Sequence, residues 1–291
     1  MFQGAGVAIV TPFRNGEVDL EAYGRMVDFQ LQNNIQCIVT LGTTGEASTL
    51  TEDERNRVIQ VTVEKCRGKV PVMVGAGSNN TAVSKKYAIQ AEKRGADGVL
   101  LVTPYYNKAT QNGLIAHFST VAEAIEIPVV VYNVPGRTGV NIEPVTVARL
   151  AQVGNIVGIK EASGNISQVL EIKRLVPEDF MIWSGNDDNI LPIYSVGGHG
   201  VISVMANMIP AETQAMCQAF MEGRVQEAID TQVKMKKLFN LLFCEVNPIP
   251  IKAALGLMGL IENELRLPLT TMEPQHEELL KTEMVNLGIL S

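Results

Sequence analysis

Short runs of apolar residues, rich in valine and isoleucine, recur along the chain. Each run is too uniformly apolar for a strand with one face in water, and continuous apolar strands are typical of a parallel sheet buried on both sides. The eight runs are G-V-A-I-V-T, Q-C-I-V-T-L, V-P-V-M-V-G, D-G-V-L-L-V, I-P-V-V-V-Y, N-I-V-G-I-K, F-M-I-W-S and H-G-V-I-S-V. The pattern predicts eight buried strands.

Segments with helical signals lie between these runs. Residues 19–33 carry apolar positions at helical spacing, residues 51–54 form a capped acidic helix start, and residues 81–94 and 111–124 follow the same logic. Successive apolar runs begin roughly 20 to 35 residues apart. Eight such strand and helix repeats predict an α/β fold of the (β/α)8 TIM barrel type.

A doubly wound open sheet is the structural alternative. Such a sheet rarely has eight strands, and it would want a phosphate-binding fingerprint early in the chain. The glycine-containing segments at 75–80 and 42–46 each lack part of a known fingerprint, so both are interpreted as tight turns.

The last part of the chain has a helical pattern throughout. A helix from Pro210 to about Glu222 is expected to complete the barrel, which gives a catalytic domain of residues 1–222. Residues 223–291 then form a C-terminal appendage of three helices packed on the barrel, at 224–243, 248–259 and 274–287. The Met and Leu residues of these helices favour core or a subunit interface over a ligand site.

The net charge and the cysteine positions argue against some classes of partner and compartment. The chain has 24 Lys and Arg against 31 Asp and Glu, a net charge of -7, which argues against nucleic acid or anionic membranes as partners. Its four cysteines are far apart and read as thiols in a reducing compartment. The first residues lack a basic region before their apolar stretch, and no apolar run approaches the ~18 residues of a membrane span. We expect a cytoplasmic protein.

Lys160 is the main candidate for chemistry, because residues at the carboxyl ends of barrel strands face the active site. Strand alternation places Lys160 on one face with Gly158 and Ile156, opposite Glu161, and Gly158 leaves room for a substrate or a side chain. The pattern leaves two interpretations open: a lysine that extends into water, or a nucleophile that forms Schiff bases. The second requires burial or a neighbouring cation to lower a lysine pKa that is normally ~10.4.

Other strand ends offer possible partners. Tyr132 lies at the level of Lys160 on the adjacent strand, and it is either a proton carrier or an aromatic that fills the barrel. Arg137 is either a carboxylate-binding group or a solvated loop residue. Thr43 and Thr44, between two glycines, present N–H and hydroxyl groups that suit an anion, although as a turn alone this motif is weak.

Metal chemistry has little support in the sequence. His117, His199 and His276 are distant from one another and from suitable carboxylates, so we predict no metal site. Asp187 and Asp188 are interpreted as a polar loop after the seventh strand. This acidic pair also disfavours the phosphate pocket that many barrels build there, which predicts a substrate without phosphate.

Several motifs in order resemble the dihydrodipicolinate synthase family of pyruvate-dependent class I aldolases. They span almost the whole chain and read G-V-A-I-V-T-P-F, G-T-T-G-E, T-P-Y-Y-N, Y-N-V-P-G-R-T-G, G-I-K-E-A-S-G, S-G-N-D-D and N-P-I-P-I-K-A-A-L. The resemblance implies that Lys160 forms a Schiff base with pyruvate. It also implies a proton relay of Tyr132, Thr43 and Tyr106, with Tyr106 reaching into the site of a neighbouring subunit.

The resemblance implies the substrate contacts as well. Thr44 would hold the pyruvate carboxylate, Arg137 the carboxylate of L-aspartate 4-semialdehyde, and the carbonyls of Gly185 and Ile202 would line the pocket. The implied product is 4-hydroxy-tetrahydrodipicolinate, an intermediate of lysine and diaminopimelate biosynthesis. No organic cofactor is implied, because Lys160 supplies the electron sink, and a homotetramer built from dimers is expected.

Two alternatives stay open at this point. Sialic-acid lyases and keto-deoxy-sugar aldolases share the lysine and the tyrosine, but they generally lack an arginine after the fifth strand and tend to have Ser where Thr43 stands. A binding protein that kept the barrel without catalysis is the alternative from another class.

The resemblance also bears on regulation. Members inhibited by lysine use a glutamate and histidines at positions that match Val83, Glu52 and Arg55 here. We therefore predict weak or absent inhibition by lysine.

Overall fold

Eight parallel strands close into a barrel in the computed structural model, which describes residues 1–290. Each strand pairs with the next along the chain, and the last pairs with the first. The strands are β1 (Gly4–Ala8), β2 (Cys37–Thr40), β3 (Val72–Gly75), β4 (Gly98–Val102), β5 (Val129–Asn133), β6 (Ile156–Glu161), β7 (Met181–Ser184) and β8 (Gly200–Ser203). Every predicted strand is present, so the predicted fold class is confirmed.

The sequence pattern predicts a first strand that lies further along the chain than the observed strand β1. Strand β1 ends at Ala8, whereas the apolar run continues to Thr11. The main chain leaves the sheet because the N–H of Val10 donates to the side chain of Asn207 (3.0 Å) and the Thr11 hydroxyl donates to the carbonyl of Gly45 (2.8 Å). The apolar residues after Ala8 are therefore buried as a loop.

A β-hairpin that the sequence analysis did not predict follows this loop. Its strands are Phe13–Arg14 and Glu17–Val18, joined by Asn15 and Gly16 with φ values of 55° and 80°. Asn-Gly with two positive φ angles is the turn that suits a two-residue hairpin. The signal was thus present in the sequence.

Strand β6 contains an irregularity that changes which residues face the barrel axis. Val129 pairs with Ile156 but Val130 pairs with Gly158, so Val157 is an extra residue in β6. Ile156 consequently packs in the outer core with Ile159, and the prediction that Ile156 shares the face of Lys160 is wrong. Beyond the bulge the alternation holds, with Gly158 and Lys160 on the inner face.

Packed side chains fill the barrel interior below the mouth. Trp183 of β7 lies at the register of Lys160 and stacks on Phe2, with ring centroids 5.2 Å apart. The indole N–H donates to the carbonyl of Phe2 (3.2 Å). The other buried members of this inner cluster are Ala8, Cys37, Val39, Met73, Leu100, Val130, Tyr132, Val134 and Ile202. These side chains close the barrel interior at its amino end, and the cavity that reaches Lys160 lies at the carboxyl end.

Helices surround the barrel at or near the predicted positions. Helix α2 begins with a capping box, because the Thr51 hydroxyl accepts from the N–H of Glu54 and the Glu54 carboxylate accepts from the N–H of Thr51. The helices are α1 (Leu20–Gln32), α2 (Glu52–Cys66), α3 (Thr81–Lys93), α4 (Gln111–Ala122), α5 (Pro135–Thr138), α6 (Pro144–Leu150), α7 (Ile166–Leu175), α8 (Ile190–Ser195) and α9 (Pro210–Met221). The helices expected at 19–33, 81–94, 111–124 and 210–222 are all found.

The C-terminal region is helical, but its first helix is broken. Helices α10 (Val225–Lys234) and α11 (Lys236–Leu242) replace the single helix predicted for 224–243. Met235, with ψ of -4°, interrupts the helical hydrogen bonds, and no Pro or Gly in the sequence marks this break. Helices α12 (Ile249–Leu257) and α13 (Pro274–Asn286) match the other two predictions. The division of the chain into domains at residue 222 stays a prediction.

Within residues 1–290, no helix combines the length and the apolarity needed to span a bilayer. The same residues contain no group of three or more His, Cys, Asp or Glu side chains arranged to hold a metal ion.

Candidate active site

Lys160 lies near the carboxyl end of β6, inside the barrel mouth, and its side chain is 5% exposed. Its amine makes no hydrogen bond or ion pair within residues 1–290, and Nζ lies over the ring of Tyr132, 4.4 Å from the ring centroid. Burial lowers the pKa of Lys160 to about 7, an effect that the charge of Arg137 reinforces and that of Asp187 opposes. Lys160 is therefore an amine that loses its proton near neutral pH.

Two glycines shape the space around this lysine. A Cβ on Gly158 would lie 2.8 Å from the ring of Trp183, so that ring occupies the room that Gly158 leaves. A Cβ on Gly185, in the turn after β7, would lie 3.1 Å from Cε of Lys160. The Gly185 turn therefore lies close against the lysine side chain.

Tyr132 occupies the position predicted for it, opposite Lys160 on the adjacent strand β5. Burial raises its pKa to about 12, and Arg137 partly offsets this effect. The hydroxyl has no hydrogen-bond partner within residues 1–290, and Tyr132 is one of the residues that line the cavity at Lys160. A phenol that stays protonated and faces the cavity can donate a proton there.

Thr43 and Thr44 belong to a tight turn after β2. The N–H of Gly45 donates to the carbonyl of Gly42 (3.1 Å), and that of Glu46 donates to the carbonyl of Thr43 (3.1 Å). Thr44 is buried and its hydroxyl accepts from the side-chain amide of Asn247 (2.9 Å), whereas Thr43 is exposed at the cavity. The turn therefore presents one fixed and one freer hydroxyl.

Arg137 lies in the short helix α5 after β5 and is exposed to solvent. Its guanidinium donates to the main-chain carbonyl of Asn247 (3.2 Å) and has no acidic partner among residues 1–290. This leaves donors free for a carboxylate at the cavity edge.

Two cavities meet at this end of the barrel. A compartment of about 50 Å³ is lined by Lys160, Gly185, Thr44 and Asn247, among others. A larger one of about 450 Å³ extends outward towards α2 and α3. Both are lined by Gly42, Thr43, Leu100, Tyr132, Val134 and Arg137. The arrangement suits a small ligand at the lysine with a second one entering past the arginine.

The structure does not bring every predicted site residue together. Tyr106 is 92% exposed, with φ of 71°, and lines neither cavity. The side chain of Ile202 is buried among the inner apolar residues. Lys160, Tyr132, Thr43, Thr44, Arg137 and Gly185 are gathered around the small compartment.

Two polar residues at the site received no role from the sequence. Asn247, which precedes α12, holds the Thr44 hydroxyl with its amide and the Arg137 guanidinium with its carbonyl. Asp187, interpreted as part of a polar loop, is buried and acts electrostatically on Lys160. The N-P-I-P motif was the available signal for Asn247, whereas Asp187 had none beyond its position after a strand.

The fold and these residues define a (β/α)8 barrel protein with a buried, readily deprotonated lysine at its mouth. The model of the Dihydrodipicolinate synthetase family matches residues 1–286. The chain belongs to this family, which confirms the resemblance seen in the sequence.

Relatives and solved structures agree with this assignment. The chain is 59% identical over 290 residues to a 4-hydroxy-tetrahydrodipicolinate synthase of Alkaliphilus oremlandii, covering 100% of both chains. It is also similar to the crystal structure of dihydrodipicolinate synthase from Thermotoga maritima, at 49% identity and a TM-score of 0.98 over 100% of both chains. A structure described as a monomeric dihydrodipicolinate synthase variant matches with a TM-score of 0.98 and 49% identity, over 99% of this chain and 98% of that one.

Proposed function

We propose that the protein condenses pyruvate with L-aspartate 4-semialdehyde through a Schiff base on Lys160, giving 4-hydroxy-tetrahydrodipicolinate. The observation that carries the proposal is the unpaired, buried amine of Lys160, whose pKa of about 7 makes it a nucleophile near neutral pH. The names of the relatives support the same reaction. It would serve lysine and diaminopimelate biosynthesis.

The reaction begins when the neutral amine of Lys160 attacks the ketone carbon of pyruvate. The ketone oxygen leaves as water, taking one proton from the amine and one from an acid, and a positively charged iminium remains. Loss of a proton from the pyruvate methyl group then gives an enamine, since the iminium nitrogen accepts the electron pair. No organic cofactor is required for this step.

The enamine carbon next adds to the aldehyde carbon of the semialdehyde, and the resulting alkoxide takes up a proton. The amino group of the same substrate attacks the iminium carbon and closes a six-membered ring. The bond between that carbon and Lys160 Nζ then breaks, which restores the free amine of the enzyme.

Tyr132 is placed to move protons during these steps. Tyr132 lines the same compartment as the lysine, and its raised pKa keeps the proton on the phenol until a stronger base forms. Thr43 would extend the relay, while Thr44 and Asn247 hold the carboxylate end of pyruvate beside the turn. The free donors of Arg137 would bind the carboxylate of the second substrate.

Tyr106 is proposed to act only at the Lys160 site of a second copy of the chain. It projects from the loop after β4 and is almost fully exposed, so it cannot serve its own Lys160 in this arrangement. We propose that it completes the relay in a neighbouring subunit of a homotetramer. One similar structure is described as monomeric, so the oligomeric state has to be measured. Sedimentation gives the oligomeric state of the protein and of Tyr106→Phe. Activity measured at several protein concentrations then shows whether turnover depends on assembly and on the Tyr106 hydroxyl.

The test of the reaction is a coupled assay with pyruvate and L-aspartate 4-semialdehyde. We expect turnover with this aldehyde and none with sugar aldehydes. Turnover of pyruvate only with sugar aldehydes would instead identify a keto-acid lyase, and the absence of both would support a binding protein.

Regulation by lysine remains predicted to be weak or absent. Val83 offers no acid to an ammonium group, and the Glu52 carboxylate is occupied by Lys86 (2.6 Å) and Gln90 (2.5 Å). Arg55 is buried, donating to the carbonyl of Gly75 (2.8 Å). Inhibition at sub-millimolar lysine in the coupled assay would contradict this prediction.

The cellular setting belongs to the same proposal. Cys37, Cys66, Cys217 and Cys244 are free thiols, and the net charge is -7. Free thiols fit a reducing compartment, so we place the protein in the cytoplasm.

A further inference from the structure

Asp187 is a buried acid in the turn that follows β7. It is 2% exposed, and its Oδ2 accepts from the main-chain N–H groups of Val204 (3.1 Å) and Met205 (2.9 Å), just after β8. Its Oδ1 is fully buried and has no hydrogen-bond partner of ordinary geometry within residues 1–290. A buried carboxylate oxygen without a donor is costly, so this one calls for an explanation.

Lys160 is the cationic group on which this carboxylate acts. The two charged residues that influence the Lys160 amine are Asp187, which attracts a proton to it, and Arg137, which repels one. The lysine side chain also packs against Gly185 in the turn that leads to Asp187. Glu161, the next acid along β6, points to the outer face and accepts from Asn133 (3.0 Å).

The charge at Lys160 changes during the proposed reaction. In the free enzyme the amine is partly or largely neutral near pH 7, because burial lowers its pKa to about 7. The iminium formed with pyruvate is a cation in the same apolar surroundings, with Arg137 adding repulsion. A buried cation without a partner is strongly disfavoured, so an anion beside it has its greatest effect once the iminium exists.

We propose that Asp187 is the counter-ion of the iminium that Lys160 forms with pyruvate. This inference rests on the Schiff-base function proposed above and deepens it. Asp187 is a positioning residue that acts through Lys160: it makes and breaks no covalent bond, and the ketone oxygen still leaves as water. The main-chain donors after β8 fix one carboxylate oxygen, which leaves the other free to balance the new charge.

Two opposing effects act on the charge of Asp187. Burial raises its pKa, while the Ser203 hydroxyl of β8, the N–H groups of Met205 and Val204 and the charge of Lys160 favour the ionised carboxylate without cancelling that effect. The thiol of Cys217, on which Asp187 also acts, has a pKa raised to about 12 by burial and is therefore uncharged. Lys160 and its iminium are thus the cation that Asp187 serves.

The substitution Asp187→Asn tests the proposal, because the amide oxygen can still accept from Val204 and Met205. The readout is borohydride trapping of pyruvate on Lys160, followed by mass spectrometry across pyruvate concentration and pH. We expect the apparent dissociation constant for pyruvate to rise about tenfold, the equivalent of one pKa unit. The acid limb of trapping should move to lower pH by about one unit, since the amine loses its attractive neighbour.

This combination separates an electrostatic role from a structural one. A loosened site would weaken trapping without making the amine easier to deprotonate. The matched control is Asp188→Asn, which removes the same charge from an exposed side chain that lies 3.7 Å from Lys236, and it should leave both readouts unchanged.

Ser203→Ala is a second variant that retains Asp187. It removes the hydroxyl that favours the charged carboxylate, so trapping should weaken in the same direction by a smaller factor, most clearly at low pH. Folded Asp187→Asn with wild-type trapping and pH profile would overturn the proposal. If that variant does not fold, unchanged behaviour of Ser203→Ala would overturn it instead. A wild-type protein that traps no pyruvate would contradict the Schiff-base function itself.

Discussion

Two lysines are buried near the carboxyl end of this barrel, and they differ in whether an acidic side chain pairs with the amine. Lys160 is 5% exposed and Lys252 is 0% exposed, and each amine lies over an aromatic ring, at 4.4 Å from Tyr132 and 4.2 Å from Phe13. Lys252 forms an ion pair with Glu46 at 2.6 Å. Lys160 has no such partner within residues 1–290.

The comparison shows that burial alone does not make a lysine nucleophilic. Burial lowers the pKa of both residues, but at Lys252 the charge and hydrogen bond of Glu46 work against that effect. Lys252 therefore serves structure: it ties α12 to the turn that carries Thr43 and Thr44, while Arg266 donates to the same Glu46 carboxylate. Lys160 faces a cavity instead, and its free amine is available for chemistry.

Replacing the reactive lysine should have the largest effect on activity. Lys160→Met is expected to abolish pyruvate trapping and to lower turnover by several orders of magnitude, because the nucleophile is lost. Its thermal unfolding should occur at the same temperature as in the wild type or a higher one, because no amine has to be buried. A melting scan beside the coupled assay checks both. Pyruvate trapped on another lysine of this variant would contradict the distinction between Lys160 and Lys252.

Removing the phenol hydroxyl beside Lys160 should have the second largest effect on activity. Tyr132→Phe keeps the ring and removes the proton donor, so turnover should fall about 10²-fold to 10⁴-fold. Trapping of pyruvate at long incubation should persist, because Lys160 remains. Single-turnover measurements separate these effects, and a wild-type rate in this variant would exclude Tyr132 from the proton relay.

Breaking the structural pair should affect stability rather than chemistry. Lys252→Met leaves the Glu46 carboxylate buried without its cation, which is expected to reduce the free energy of unfolding by about 3–5 kcal/mol. Denaturant titration measures this loss. The double variant Glu46→Gln with Lys252→Met should recover part of it, and pyruvate should still be trapped on Lys160 in both. Equal stability of the single variant and the wild type would contradict the structural role.

A change of pH should have the smallest of these effects on the trapping of pyruvate by Lys160. Since only the neutral amine attacks pyruvate, the rate of trapping should rise with pH and level off above the Lys160 pKa of about 7. Below that value it should fall about tenfold for each pH unit. Initial trapping rates over this range test the sign, and a midpoint near the ordinary lysine value of ~10.4 would show that burial does not tune Lys160.

Local patterns were enough to predict the barrel and the position of Lys160. Eight apolar runs marked the strands, and the alternation along β6 placed Lys160 at the mouth beside Tyr132. The bulge at Val157 and the helix break at Met235 were missed because each depends on pairing or packing. Gly158 beside the bulge was interpreted as room for a substrate or a side chain, and no Gly or Pro marks the break at Met235.

Long-range contacts account for what the sequence did not predict in the site. Asn247 lies 203 residues from Thr44, and Lys252 lies 206 residues from Glu46. No periodicity or spacing links residues so far apart, so neither of these two contacts could be derived from one sequence, although the N-P-I-P motif drew attention to the position of Asn247. The roles of Tyr106 and Ile202 stay predictions that rest on the family resemblance.

Lys160, and not the buried Lys252, is the nucleophile that we propose. Incubation with pyruvate and borohydride, followed by peptide mapping by mass spectrometry, tests this choice. We expect one reduced pyruvate per chain, carried by the peptide that contains Lys160, with Lys252 unmodified. An unmodified Lys160, or the adduct on Lys252, would contradict it.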